Sequence, residues 1–231
     1  MSRQILVHTV FIIFVVTLTL AQNPKYFWES EYSYHLDKEY GKRMVPQEEI
    51  EKELYNLLVH LSWISKKQCV RPIIIAGCMI GAYYGNKPLP WDDDCDIAFL
   101  EEDFKQLQPF ETPAFVFKIN PHWKTRENDP DNRIDARLIS KTNGQFIDIV
   151  ALTQSTNNVL HQKRDDIPPF LKSNLLPLQN TSFWGISGYF LPNKITKVIE
   201  KYYKNGLKRV YRHKKDLWVF DSRDQTWKKT S

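Results

Sequence analysis

Asp94 and Asp96 stand two residues apart and lead into an apolar stretch that ends at Leu100. In an extended strand, side chains alternate between faces, so the two carboxylates point one way and Cys95 the other. Two hard oxygen ligands on one face suit Mg²⁺ or Mn²⁺. Such ions take one or two carboxylates and complete their shell with water and substrate phosphate. A third acid, Asp148, lies between Ile147 and Ile149 in a second strand-like run. An acid cluster after prolines is also the ordinary composition of a solvated loop, and an Asp between isoleucines is also what an edge strand shows to water. The conjunction weighs against those readings: the Asp-x-Asp opens a strand, a glycine turn and short helix precede it, and another strand acid follows.

Positioning these acids requires a particular order of elements. Residues 73–76 form a short apolar run that reads as a buried strand. Gly77 and Cys78 follow, then a short helical pattern over 79–84 and a loop punctuated by Gly85, Asn86, Pro88 and Pro90. Glycine lets backbone approach a ligand closely, and a helix start offers free N–H groups to a phosphate. Downstream, residues 101–110 read as a helix and 114–119 as a strand. Residues 133–140 and 145–152 read as two strands of a hairpin, because Asn143-Gly144 is a strong turn signal. Arg133, Asp135 and Arg137 then share one strand face. That face either holds phosphate or lies in solvent.

Upstream, residues 46–67 form the clearest helix. Pro46 suits its first turn, Glu48 and Glu49 suit its positive end, and Ile50, Leu54, Leu57, Leu58, Leu61 and Ile64 make an apolar face. His60 beside that stripe reads as structural. Residues 192–204 form a second amphipathic helix with a lysine stripe. The segments 121–132 and 161–172 read as polar loops.

The remaining features bound the class. The chain has 231 residues, and 42% of them are hydrophobic, enough for one cored domain plus an N-terminal segment. Its division is residues 1–21 as a signal peptide or short signal anchor, 22–45 as an aromatic stem, 46–215 as the domain and 216–231 as a tail. Residues 5–20 are apolar and Thr19-Leu20-Ala21 suits cleavage, although the same run could associate with a membrane. Asn180-Thr181-Ser182 is a glycosylation sequon, which agrees with a lumenal or secreted chain. The formal charge of +5 fits an anionic small substrate and does not by itself point to nucleic acid. Three cysteines, Cys69, Cys78 and Cys95, allow at most one internal disulfide; their spacing neither selects the pair nor resembles a zinc site.

The segment Pro90-Trp91-Asp92, Asp94, Asp96-Ile97, preceded by Gly77 and Gly81, resembles the LicD/fukutin family of the nucleotidyltransferase-fold superfamily. Phe146-Ile147-Asp148-Ile149 is similar to that family's later strand acid. Leu176-Pro177-Leu178, Phe183-Trp184-Gly185 and Leu191-Pro192 are similar to its closing pattern, so the likeness spans roughly residues 50–204. Cys78 stands where members usually carry Thr or Ser, and Tyr84 where many carry Arg. The resemblance implies an α/β (α+β) single domain with a polymerase-beta-type mixed sheet flanked by helices. It implies a lumenal transferase of the Golgi or ER that moves phosphocholine or a polyol phosphate from a CDP-linked donor to a glycan or glycoprotein acceptor. Asp94, Asp96 and Asp148 would then serve catalysis and hold Mg²⁺ or Mn²⁺. Gly77, Cys78, Gly81, Trp91, Arg133 and Arg137 would contact nucleotide or substrate. The other reading is a non-catalytic secreted or lumenal binding protein on the same fold.

Overall fold

The structure is a computed structural model that describes residues 46–121, 123–124, 134–156, 158–162, 169–203, 206–213 and 216–230. The signal and stem expectations for 1–45, together with Arg133 and residues 163–168 of the polar loop, lie outside the described residues. Among the described residues, no helix is long and apolar enough to cross a membrane.

Helix α1 (Gln47–Lys67) follows Pro46, with Glu48 and Glu49 in its first turn and Lys66 and Lys67 in its last. Both ends therefore carry the charge that complements the helix dipole. Its apolar stripe is buried as the 3.6-residue period requires, and Tyr189 Oη donates to the Leu58 carbonyl across the interface at 2.6 Å. Each buried leucine or isoleucine contributes about 2 kcal/mol. His60 packs against Phe115, Phe110 and Trp63, and burial lowers its pKa.

After α1 come β1 (Ile73–Ile74), α2 (Ala76–Gly85), β2 (Asp96–Leu100), α3 (Glu101–Phe104), β3 (Phe110–Glu111), β4 (Phe115–Ile119), β5 (Ala136–Ser140) and β6 (Phe146–Thr156). Then follow β7 (Val159–His161), β8 (Phe170–Leu171), α4 (Lys172–Leu175), β9 (Gln179–Phe183), β10 (Ile186–Leu191) and α5 (Ile195–Tyr202). Among the described residues, ten strands form one mixed sheet in the order β3-β4-β5-β6-β2-β1-β10-β9, with β7 and β8 branching from β6. β2 and β6 run parallel; β5 and β6 form the antiparallel hairpin that Asn143-Gly144 announces, with Gly144 at φ 76°. The fold is thus a mixed α/β sheet flanked by helices, as expected.

Two expectations are corrected. The helix foreseen over 101–110 ends at Phe104: Asp103 is drawn to Arg71, whose Nε donates to it at 2.7 Å, and Phe110 pairs with Phe117 as an edge strand. The tail foreseen at 216–231 contains β12 (Asp216–Asp221) and β13 (Thr226–Thr230), which join β11 (Val210–His213) in a separate three-stranded sheet. Its inward residues are mostly aromatic and meet the main body through rings: Tyr84 touches Phe220 at 4.8 Å and Trp227 at 5.3 Å.

Candidate functional site

Register builds the site. Asp96 on β2 lies opposite Asp148 on β6, and Asp148 lies opposite Arg137 on β5. Paired residues on neighbouring strands point to the same face, with about 4.8 Å between strands. Asp96, Asp148 and Arg137 therefore form one row across three strands. Asp94, expected on the same strand, lies in the loop before it, because β2 begins at Asp96. The opposite face is filled by Cys95, Ile97, Ile147 and Ile149, all buried. The alternation that makes the acids coplanar is the same alternation that anchors the strands.

Arg137 does not present an open cation. Its Nε donates to Asp148 Oδ1 at 2.5 Å, both side chains are about nine-tenths buried, and its guanidinium sits 3.7 Å from the centre of the Phe146 ring. A buried carboxylate needs such a partner, because an unpaired charge in this setting is costly. The pairing leaves Asp148 Oδ2 as its second acceptor. Asp135, on the same strand face in the sequence reading, instead accepts the Ala151 N–H at 2.7 Å and is buried.

The loop that carries the acids is held from three sides. Cys78 and Cys95 form a disulfide with Cα atoms 5.5 Å apart, tying the first turn of α2 to the residue between Asp94 and Asp96. Cys69 remains free and exposed. Gln145, at the start of the hairpin's second arm, donates through Nε2 to the Asp93 carbonyl. Gly77 and Gly81 lie on the α2 face that meets residues 87–92. A Cβ at Gly77 would collide with the Asp92 carboxylate, and one at Gly81 with the Lys87 carbonyl. These glycines are thus needed for helix and loop to touch. The start of α2 abuts a carboxylate where the sequence reading expected phosphate.

Asp92 was not among the expected site residues. Burial, reinforced by the negative charge of Asp94, pushes its pKa up to about 7. Its place in the Pro90-Trp91-Asp92 segment pointed to it, but its burial did not show in the sequence. Trp91, expected against a nucleotide, stacks on Tyr211 (5.1 Å, 12° between planes) and contacts Trp218 and Trp227, each at 5.1 Å. It is the joint between the acid loop and the three-stranded sheet. Asn180 is exposed on β9, the edge strand.

No ligand set of three His, Cys, Asp or Glu side chains stands together as a metal cage among the described residues. The donors still suit a hard divalent cation. Asp94 and Asp96 offer the two carboxylates such an ion needs when phosphate completes its shell, and Asp148 is paired with Asp96 in the strand register. A cation there would also relieve the repulsion that Asp94 exerts on Asp92.

A sequence model described as "LicD/FKTN/FKRP, nucleotidyltransferase domain" matches residues 70–194. No curated protein matches the chain.

Proposed function

The chain belongs to the LicD/FKTN/FKRP nucleotidyltransferase-domain family, whose members are generally transferases of phosphate-containing groups, and from that premise we propose that it is a metal-dependent phosphotransferase of the secretory pathway. It moves phosphocholine or a polyol phosphate from a CDP-linked donor to a glycan hydroxyl. The observation that carries this reading is the register of β2 against β6, which sets Asp96 beside Asp148 on a rigid floor of buried strands.

Asp94 and Asp96 would hold Mg²⁺ or Mn²⁺, which supplies charge neutralisation for the donor phosphates. Asp148 is oriented by Arg137, and its second oxygen either joins the metal ligands or accepts the proton of the acceptor hydroxyl. Arg137 acts through Asp148 as a positioning group. Gly77 and Gly81 let the 87–92 loop lie close on α2, and the Cys78–Cys95 disulfide fixes Asp94 and Asp96 relative to that helix. The disulfide supports an oxidising compartment, and the exposure of Asn180 suits a glycosylation acceptor.

One pair of observations favours the non-catalytic alternative. Asp148 is already engaged by Arg137, and the Asp92 carboxylate rests against the Gly77 Cα at the start of α2. Calorimetric titration of the lumenal chain with CDP and CMP, with and without Mg²⁺ or Mn²⁺, separates the two. Metal-dependent binding that disappears in Asp94→Asn/Asp96→Asn is the expected result. No binding under any condition would leave a non-catalytic protein. Full transferase activity in that double variant would end the metal assignment.

A further inference from the structure

Behind the acid loop lies a cavity of about 190 Å³ that none of the roles above uses. Ile50 and Leu54 of α1 form its floor, Pro90 and Trp184 its walls, and Glu51 and Lys87 its exposed rim. Asp92 also lines it, so the cavity and the acid cluster share one side chain. The volume is below the roughly 300–1,000 Å³ of sites that enclose drug-sized ligands. It suits one small ring and not a nucleotide.

Trp184 is held there at a conformational cost. Phe183 pairs with Ile186, so Trp184 and Gly185 form a two-residue hairpin turn, with φ of 55° and 78°. Such turns ordinarily place Asn, Asp or Gly at both positions. A bulky aromatic side chain in the left-handed region is an outlier, and strained residues of this kind cluster at ligand clamps. The residue is held twice: the Trp184 backbone N–H donates to the Asn86 carbonyl at 2.7 Å, and Tyr55 meets the indole edge-on at 5.2 Å and 86°. Opposite the rigid aromatic wall, Glu51 and Lys87 have no ion-pair partner among the described residues, and so keep their acceptors and donors for a ligand.

An aromatic wall, a small apolar floor and a rim bearing both an acceptor and a donor match a sugar ring, whose C–H face is apolar and whose edge carries hydroxyls. We propose that this cavity is the subsite for one pyranose ring of the acceptor, with Trp184 as its stacking wall and Glu51 and Lys87 reading its hydroxyls. The assignment rests on the glycan-directed reading above and adds where the acceptor sits. Asp92, two residues from Asp94, is the side chain by which the cavity meets the acid cluster.

The test is saturation-transfer NMR on the full chain with methyl pyranosides as probes: gluco, galacto, manno, xylo and the two N-acetylhexosaminides. The expected result is transfer to the ring C–H protons of at least one glycoside, weakened about tenfold in Trp184→Ala and in Glu51→Ala/Lys87→Ala. The second variant alters only exposed side chains, and it decides the matter if Trp184→Ala does not fold. No transfer from any glycoside to the wild type overturns the proposal, as does undiminished transfer to either variant in folded form. Asp94→Asn/Asp96→Asn serves as the separate control. Loss of CDP binding with pyranoside transfer kept is expected of it. Failure of CDP to bind the wild type would count against the phosphotransferase reading, while the pyranoside result would still judge the cavity on its own.

Discussion

In the ten-stranded sheet, Asp96, Asp148 and Arg137 stand on strands whose other face is packed with buried aliphatic side chains, and backbone ladders on both sides hold each strand. In the three-stranded sheet, the strands are largely half-exposed or exposed. Phe220 and Trp227 reach the main body through Tyr84, and Tyr211, Trp218 and Trp227 reach it through Trp91. The first region positions chemistry by register, which tolerates almost no slip because one residue of shift moves every side chain to the other face. The second is fixed by a small set of aromatic contacts, each about 0.5–1.5 kcal/mol beyond area burial. A rigid floor and a removable buttress are therefore joined at Trp91, the residue beside the acid cluster.

The largest effect expected on this contrast comes from Arg137→Ala. It strands the buried Asp148 carboxylate and should cost about 3–5 kcal/mol in chemical denaturation, lowering protection from hydrogen exchange throughout β5 and β6. Trp91→Ala should cost about 3 kcal/mol and act elsewhere. Amides of β12 and β13 should exchange much faster while β2 and β6 keep their protection. Equal loss in both sheets would mean that they form one cooperative unit and would remove the distinction. Replacing both Cys78 and Cys95 by serine opens a loop with a sequence separation of 17 and should also cost about 3 kcal/mol. Metal affinity is expected to fall with it, because the residue between Asp94 and Asp96 loses its tether to α2. An unchanged metal affinity would show that the β2–β6 ladder alone sets the acids.

Asp92 gives a pH-dependent test of the site end. Its folded pKa, about 7, lies above the ordinary 3.8. Between those values the native state holds a proton that the unfolded chain has released, so this group makes stability fall as pH rises from about 4 to about 7. In chelator-treated protein, Asp92→Asn should therefore be more stable than wild type at pH 8, by something on the order of 2 kcal/mol, with the gain gone at pH 4. A gain that is the same at both pH values would refute the assignment. The smallest effect belongs to the buttress. A hydrogen bond from Lys228 and the Arg223 backbone N–H hold Asp221 down to about 2. Its contribution is present above about 4 and is lost as pH falls toward 2. Thermal melts at pH 4 and pH 2.5 should differ less for Asp221→Asn than for wild type.

Much of the site was legible because its signals are local. Asp-x-Asp at the mouth of an apolar run, Asp148 between isoleucines and Asn143-Gly144 between strands each describe a face or a turn that a few residues settle among themselves. The roles given to Gly77, Gly81 and Arg137 changed because each depends on a neighbour from another segment: the Asp92 carboxylate, the Lys87 carbonyl and the Asp148 carboxylate. The three-stranded sheet escaped notice for a related reason. Residues 210–230 are rich in lysine, arginine and aspartate, and their few aromatic residues read as a solvated tail until Tyr84 and Trp91 are seen to receive them.

The sequence by itself determined the family, the α1 helix and the order of strands around the acids. Strand alternation and helical period are properties of neighbouring residues, so they need no distant partner. Only the tertiary structure decided that Asp148 lies beside Asp96, that Arg137 is spent on Asp148, that Cys78 pairs with Cys95 and not Cys69, and that Trp184 walls a cavity ending at Asp92. Each of these joins segments between 11 and about 130 residues apart. Register and packing between such segments are set by the whole core closing at once, which no local pattern encodes.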